Sequence, residues 1–125
     1  MKKQVLLVVL LANFAASYAG VLTVSNQPGD GAQYSDLQTA INTANSGDTI
    51  YVHASNVNYN SGYNIAKKLT LIGAGFNPNK ANQVTTKMDG SFSLNAGSSG
   101  TTIIGFYSTG CCNTFCVLNA NGLHD

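Results

Sequence analysis

Apolar and polar positions along the chain fall into two regimes. Between Ser35 and Gly47, Leu37, Ala40, Ile41 and Ala44 recur at i, i+3, i+4 and i+7, the single apolar stripe of an amphipathic helix. Ser35 and Gln38 have the S-x-x-Q spacing of a capping box, and Gly47 offers a C′ stop. This predicts a helix of about ten residues. After Gly47 the helical period does not return. Short strand candidates follow instead: "TIYV" at 49–52, "YNI" at 63–65, "LTLI" at 69–72, "TKM" at 86–88, "FSLN" at 92–95, "TIIGF" at 102–106 and "CVLN" at 116–119. One more, "VLTVS" (21–25), precedes the helix across the turn-rich "NQPGDGAQ".

The strand candidates at 49, 69, 92 and 116 recur roughly every 20 to 24 residues, and "FSLNAG" is echoed by "CVLNANG". A unit of that size with two or three short strands cannot bury its own apolar face, but stacking the next unit on it does. The expected fold class is therefore mainly β, a parallel β-helix or solenoid. The first unit would have an open edge and an exposed apolar end, and the amphipathic helix directly before "GDTIYV" is placed to cap both.

The ends and the composition narrow the setting. Lys2 and Lys3, the apolar run "VLLVVLLANFAA" and the small residues of "SYA" have the layout of a secretory signal peptide, with cleavage expected after Ala19. The run is too short, and Asn13 interrupts it too early, for a transmembrane span. The expected organisation is a signal peptide at 1–19, a strand, loop and cap helix at 20–48, and about three solenoid rungs at 49–125. The expected location is secreted or cell surface. The chain has six Lys, five Asp, no Arg and no Glu, and the leader contains two of the Lys. Nucleic acid is not an expected partner, because phosphate binding needs clustered Lys and Arg. At 44% apolar residues the composition is not that of a disordered chain.

The order "YSDLQTAINTANSGDTIYV", "YNIAKKLTLIGAGF", "KMDGSFSLNAG" and "TTIIGF" resembles the start of secreted right-handed parallel β-helix proteins, the pectin-lyase-like group. The resemblance covers roughly residues 21–106. It implies a right-handed parallel β-helix with an N-terminal capping helix. Members of that group include polysaccharide lyases, glycoside hydrolases, esterases and adhesins, so the fold does not select an activity. They usually have many more coils, with catalytic residues on the middle ones. Here a fourth rung only begins at "CVLNANGLHD", so the resemblance is to the N-terminal segment of such a protein. The open end would then be covered by further coils or by a partner.

Candidate chemistry is sparse. "LTLIGAGF" (Leu69 to Phe76) starts like a dinucleotide fingerprint, but Pro78 stands where the third Gly belongs and turn residues replace the helix. No cofactor is expected. Glycosidic cleavage usually takes two flanking carboxyls, and Asp30, Asp36, Asp48 and Asp89 sit in turn or helix-start contexts that do not indicate a pair. Lyase chemistry would need a strong base; there is no Arg, and Lys67 and Lys68 read as solvated edge protection. No catalytic residue is assigned, and His53 has no visible partner. "GDGAQYSD" lacks the carboxylate density of a calcium loop. Cys111, Cys112 and Cys116 are candidates for a disulfide in an exported chain, with one left over; their spacing, even with His124, suits zinc poorly. Tyr51, Tyr59, Tyr63 and Tyr107 could stack on sugar rings or simply fit half-buried strands. The expected function is a non-catalytic exported scaffold segment with polysaccharide as the candidate partner. The alternative is the N-terminal part of a polysaccharide lyase or glycoside hydrolase whose active site lies in downstream coils.

Overall fold

A computed structural model describes residues 18–60, 62–76, 84–108 and 117–119. Residues 1–17, which hold most of the expected leader, and Pro78, Cys111, Cys112, Cys116 and His124 lie outside the described residues. The protein is mainly β, with one short helix and parallel strands in three sheets. Strand β1 (Val21–Val24) precedes helix α1 (Leu37–Thr43). Then follow β2 (Thr49–Val52), β3 (Tyr63–Ile65), β4 (Thr70–Gly73), β5 (Thr86–Met88), β6 (Phe92–Leu94), β7 (Thr102–Ile104), β8 (Phe106–Ser108) and β9 (Val117–Asn119). The sheets have the orders β1-β2-β4-β7, β3-β6-β9 and β5-β8, and every pair is parallel. Tyr59 joins the last sheet through a single parallel bridge to Met88. The segments 70–94 and 102–119 thus each contribute one strand to every sheet.

Side chains on one face of the first sheet align in register. Leu22, Ile50, Leu71 and Ile103 form one column, and Val24, Val52 and Gly73 form the next. Val24, Ile50, Val52 and Leu71 are buried. The opposite face carries Thr49, Thr70 and Thr102 in one column and Tyr51 and Ile72 in another. An aromatic chain runs through the interior: Tyr63 and Phe92 lie 5.6 Å apart, and Phe92 meets Phe106 edge-on at 5.4 Å. Such contacts add to the area-driven term of the hydrophobic effect.

The predicted pattern of α1 holds, since Leu37, Ala40, Ile41 and Ala44 are all buried. Its ends differ from expectation. The N-cap is Asp36, whose carboxylate accepts the Thr39 N–H and hydroxyl, both at 2.8 Å. Ser35 lies one residue too early, and Asp caps a helix as well as Ser does. Gln38 does not close a capping box; its amide is committed elsewhere. The helix ends at Thr43, and Gly47 is not its C′ residue. Lys67, expected to be solvated, reaches across to donate to the carbonyls of Asn42 and Ala44 at 3.0 and 2.7 Å. A cation on the last carbonyls suits the negative end of the helix.

Helix and loop together cover the first strands. The Gln38 side chain accepts the Asn64 N–H at 2.8 Å and donates to the Asn64 carbonyl at 3.1 Å, pairing with β3 as a neighbouring strand would. On β1, the Thr23 N–H donates to Gln33 Oε1, the Thr23 carbonyl accepts the Tyr34 N–H, and the Ser25 N–H donates to the Tyr34 carbonyl. Unpaired strand edges invite association, and these side chains and loop groups occupy them.

The register corrects the spacing read from sequence. Thr49 pairs with Thr70, which pairs in turn with Thr102, whereas Tyr63 pairs with Phe92, which pairs in turn with Val117. The recurrence at 49, 69, 92 and 116 therefore mixes strands of two sheets. "TIIGF" is not one strand: β7 and β8 join different sheets, and Gly105 bends the chain between them at φ 75°. The echo between "FSLN" and "CVLN" is one residue out of step, since Phe92 pairs with Val117 rather than with Cys116.

Candidate functional site

The chain from Ser25 to Asp36 makes a compact loop over the ends of β1 and β2. The Ser25 hydroxyl accepts the Gln27 N–H at 3.1 Å and donates to Asp30 Oδ2 at 2.6 Å. His53, just past β2, brings Nδ1 to 3.7 Å from the same oxygen. Serine, aspartate and histidine thus meet in one place, but in an order unsuited to nucleophilic catalysis. A triad needs the imidazole between hydroxyl and carboxylate, so that it can take the hydroxyl proton. Here the carboxylate is in the middle and Ser25 is buried. The group clamps a loop.

Beside this loop lies a cleft of about 180 Å³ lined by Asn26, Ser35, Asp36, Leu37, Val57, Asn58, Tyr59, Asn60 and Tyr63. It is smaller than the roughly 300–1,000 Å³ of sites that enclose drug-sized ligands. Two tyrosines line it, Tyr59 and Tyr63. Tyr59 is fixed by its bridge to β5, and its hydroxyl donates to the His53 carbonyl at 3.0 Å and accepts the Asn26 N–H at 3.4 Å. Tyr63 is the first residue of β3 and stacks on Phe92. Burial raises the pKa of both phenols. The nearby Asp36 carboxylate adds to this for Tyr63, which is pushed up to about 12. Asn26 donates from Nδ2 to the Val57 and Asn58 carbonyls, which fixes the orientation of its amide. Its Oδ1 is buried without a hydrogen-bond partner among the described residues.

The remaining sequence candidates fall apart in space. Of the four tyrosines, Tyr59 and Tyr63 are buried at the cleft, while Tyr51 and Tyr107 are exposed on β2 and β8. Asp30 engages Ser25 and His53, Asp36 caps α1, and Asp48 is buried in the turn before β2. Among the described residues, Asp36 is the only carboxylate lining the cleft. "GDGAQYSD" does not converge on one point, and among the described residues no group of three or more His, Cys, Asp or Glu could hold a metal ion. No helix among the described residues is long and apolar enough to cross a membrane.

In "LTLIGAGF" both glycines lie where a side chain has no space. A Cβ on Gly73 would lie 2.4 Å from the Gly105 carbonyl oxygen, and one on Gly75 would lie 2.9 Å from the same atom. The Gly75 N–H donates to that oxygen at 3.0 Å. Neither glycine has a positive φ, and the chain passes straight from β4 into a 3-10 turn over Ala74–Phe76. They leave room for the backbone at Gly105.

Sequence reasoning missed Asn26, Asn58 and Asn60 as cleft residues and Gln33 and Gln38 as edge caps. Uncharged amides in turns have no periodic signal, and their roles depend on which strand the fold brings past them. Comparison with protein-family models, with curated proteins and with solved structures finds no match to this chain.

Proposed function

We propose that this protein is an exported scaffold, a segment of a right-handed parallel β-helix of the pectin-lyase-like kind, non-catalytic and carrying a small polar contact site for glycan. The observation that carries the reading is the strand order: successive segments add one strand to each of three parallel sheets, in register. Stacking of that kind makes a solenoid whose layers bury one another's apolar faces. The right hand follows from the general handedness of parallel crossovers. The capped edges of β1 and β3 support an N-terminal cap at this end. The leader-like residues 1–19 support export to the surface or medium.

The cleft favours contact over cleavage. It offers amides, a hydroxyl, one carboxylate and two tyrosine rings, which suits a single polyhydroxylated ring or part of one. Acid–base hydrolysis of a glycosidic bond needs a second carboxyl across the bond. Two experiments test the reading. Fractionation of an exporting host should recover the chain outside the cytoplasm. Titration of the purified chain with neutral oligosaccharides should perturb NMR resonances of Asn60 and Tyr63 but not of Tyr107. Retention in the cytoplasm would end the export reading, and unmoved cleft resonances at millimolar sugar would end the glycan reading.

A further inference from the structure

Asp48 is 3% exposed, yet the ion pair present among the described residues is His53–Asp30, and Asp48 has none. A buried carboxylate without a counter-charge is costly unless hydrogen bonds offset the loss of water. Its Oδ2 accepts the Asn45 N–H at 2.7 Å, and its Oδ1 accepts the Gly20 N–H at 2.6 Å. Gly20 is held firmly there, because its carbonyl accepts the Thr49 N–H at 2.9 Å and so extends the β1–β2 ladder by one residue. A Cβ on Gly20 would come within 3.3 Å of Oδ1, so glycine permits the close approach. The two residues before it are exposed, Tyr18 at 88%.

We infer that the Ala19–Gly20 bond is a processing site whose hydrolysis completes the fold by supplying the missing counter-charge to Asp48. The inference rests on the reading of residues 1–19 as an export leader. Water adds across the Ala19–Gly20 amide. Ala19 leaves as a carboxylate, and the Gly20 nitrogen becomes an ammonium group at neutral pH. That nitrogen already lies 2.6 Å from Asp48 Oδ1, so an amide hydrogen bond becomes an ion pair with no movement of the backbone. A hydrogen bond with both partners charged is stronger than one with a neutral donor. The processed chain then gains a charged contact at its first residue that the unprocessed chain lacks.

The test compares forms with defined N-termini, released from a removable tag. One begins at Gly20, one at Tyr18, and a third is the Gly20 form with its amine acetylated, which keeps an N–H but removes the charge. All described strands and the helix lie after Gly20 in each form. The free Gly20 form should melt higher than the other two by about 4–8 °C, the shift expected for roughly a fivefold change in a folding equilibrium. The same comparison in Asp48→Asn should show no difference. Equal midpoints for the three forms with Asp48 intact would overturn the ion pair, whether or not the Asp48→Asn variant folds. Separately, intact mass of the chain recovered from an exporting host should place its first residue at Gly20. A different first residue would overturn the processing site, and an uncleaved chain would overturn the leader reading itself.

Discussion

The side-chain amide of Gln38 lies across the backbone of Asn64, accepting its N–H at 2.8 Å and donating to its carbonyl at 3.1 Å. A glutamine on a helix takes the place of a strand beside β3. An alanine there leaves one donor and one acceptor of β3 to water or to another chain. Gln38→Ala should cost about 1–2 kcal/mol, the loss of two ordinary hydrogen bonds with partial rehydration. It should also promote self-association, because an open strand edge is a template for pairing. Thermal denaturation and light scattering over a concentration series check the two effects. Glutamate is the sharper variant, since it keeps the acceptor and loses the donor.

Gly73 and Gly47 make a contrasting pair. An alanine at 73 would place its Cβ 2.4 Å from the Gly105 carbonyl oxygen and 3.1 Å from Thr86 Cβ, so backbone must move. Overpacking of this kind costs roughly 1–3 kcal/mol or more. An alanine at 47 meets nothing within 4 Å, but Gly47 has φ +97°, so the cost there is backbone strain of about 1 kcal/mol. Gly73→Ala should be the more damaging in a urea melt, and it should also disturb the NMR signals of residues near 105.

Asp36 and Ser35 can be told apart by substitution. Asp36→Ala removes the acceptor for the Thr39 N–H and hydroxyl and should cost about 0.5–2 kcal/mol. Ser35→Ala, next to it, should stay within about 0.5 kcal/mol, as a change that touches no cap. Equal losses would mean that the helix starts one residue earlier than described here.

Alkaline pH should expose the buried phenols. The pKa of Tyr63 lies near 10.0 unfolded and is pushed up to about 12 folded, because burial and the Asp36 carboxylate oppose the phenolate. The unfolded chain therefore loses this proton first as pH rises. Stability is at its full value below pH 10 and declines from there through about pH 12. Tyr59 is shifted in the same direction and adds to the decline. Tyr63→Phe should make the loss of stability over this window shallower, as measured by denaturant melts at stepped pH.

Phe92 is fully buried and touches both Tyr63 and Phe106, linking strands of two sheets. Phe92→Ala should cost roughly 3–5 kcal/mol, by lost burial and by the cavity left behind. Tyr107→Ala, at an exposed position on β8, should be close to neutral in the same assay.

The sequence by itself determined the local elements. "TIYV", "YNI" and "TKM" coincide with β2, β3 and β5, and the stripe of α1 is buried as its spacing predicts. These are properties of adjacent residues: alternation, a 3.6-residue period, and turn residues between. The sequence also pointed to a mainly β protein, because the helical period does not return after Gly47. What only the tertiary structure decided is which segment lies beside which. Thr49 finds Thr70 and then Thr102, at unequal separations, because the loops between strands differ in length while the ladder spacing does not. That placement turns Gln38 from a helix cap into an edge cap and Lys67 from a solvated charge into a helix-end donor, and it sets Gly73 and Gly75 against the Gly105 carbonyl. It also gathers Asn26, Asp36, Tyr59 and Tyr63 around one cleft and sets Gly20 against Asp48. A side chain's role in this fold depends on the strand or loop brought beside it, and pairing between distant strands leaves no trace in the spacing along the chain.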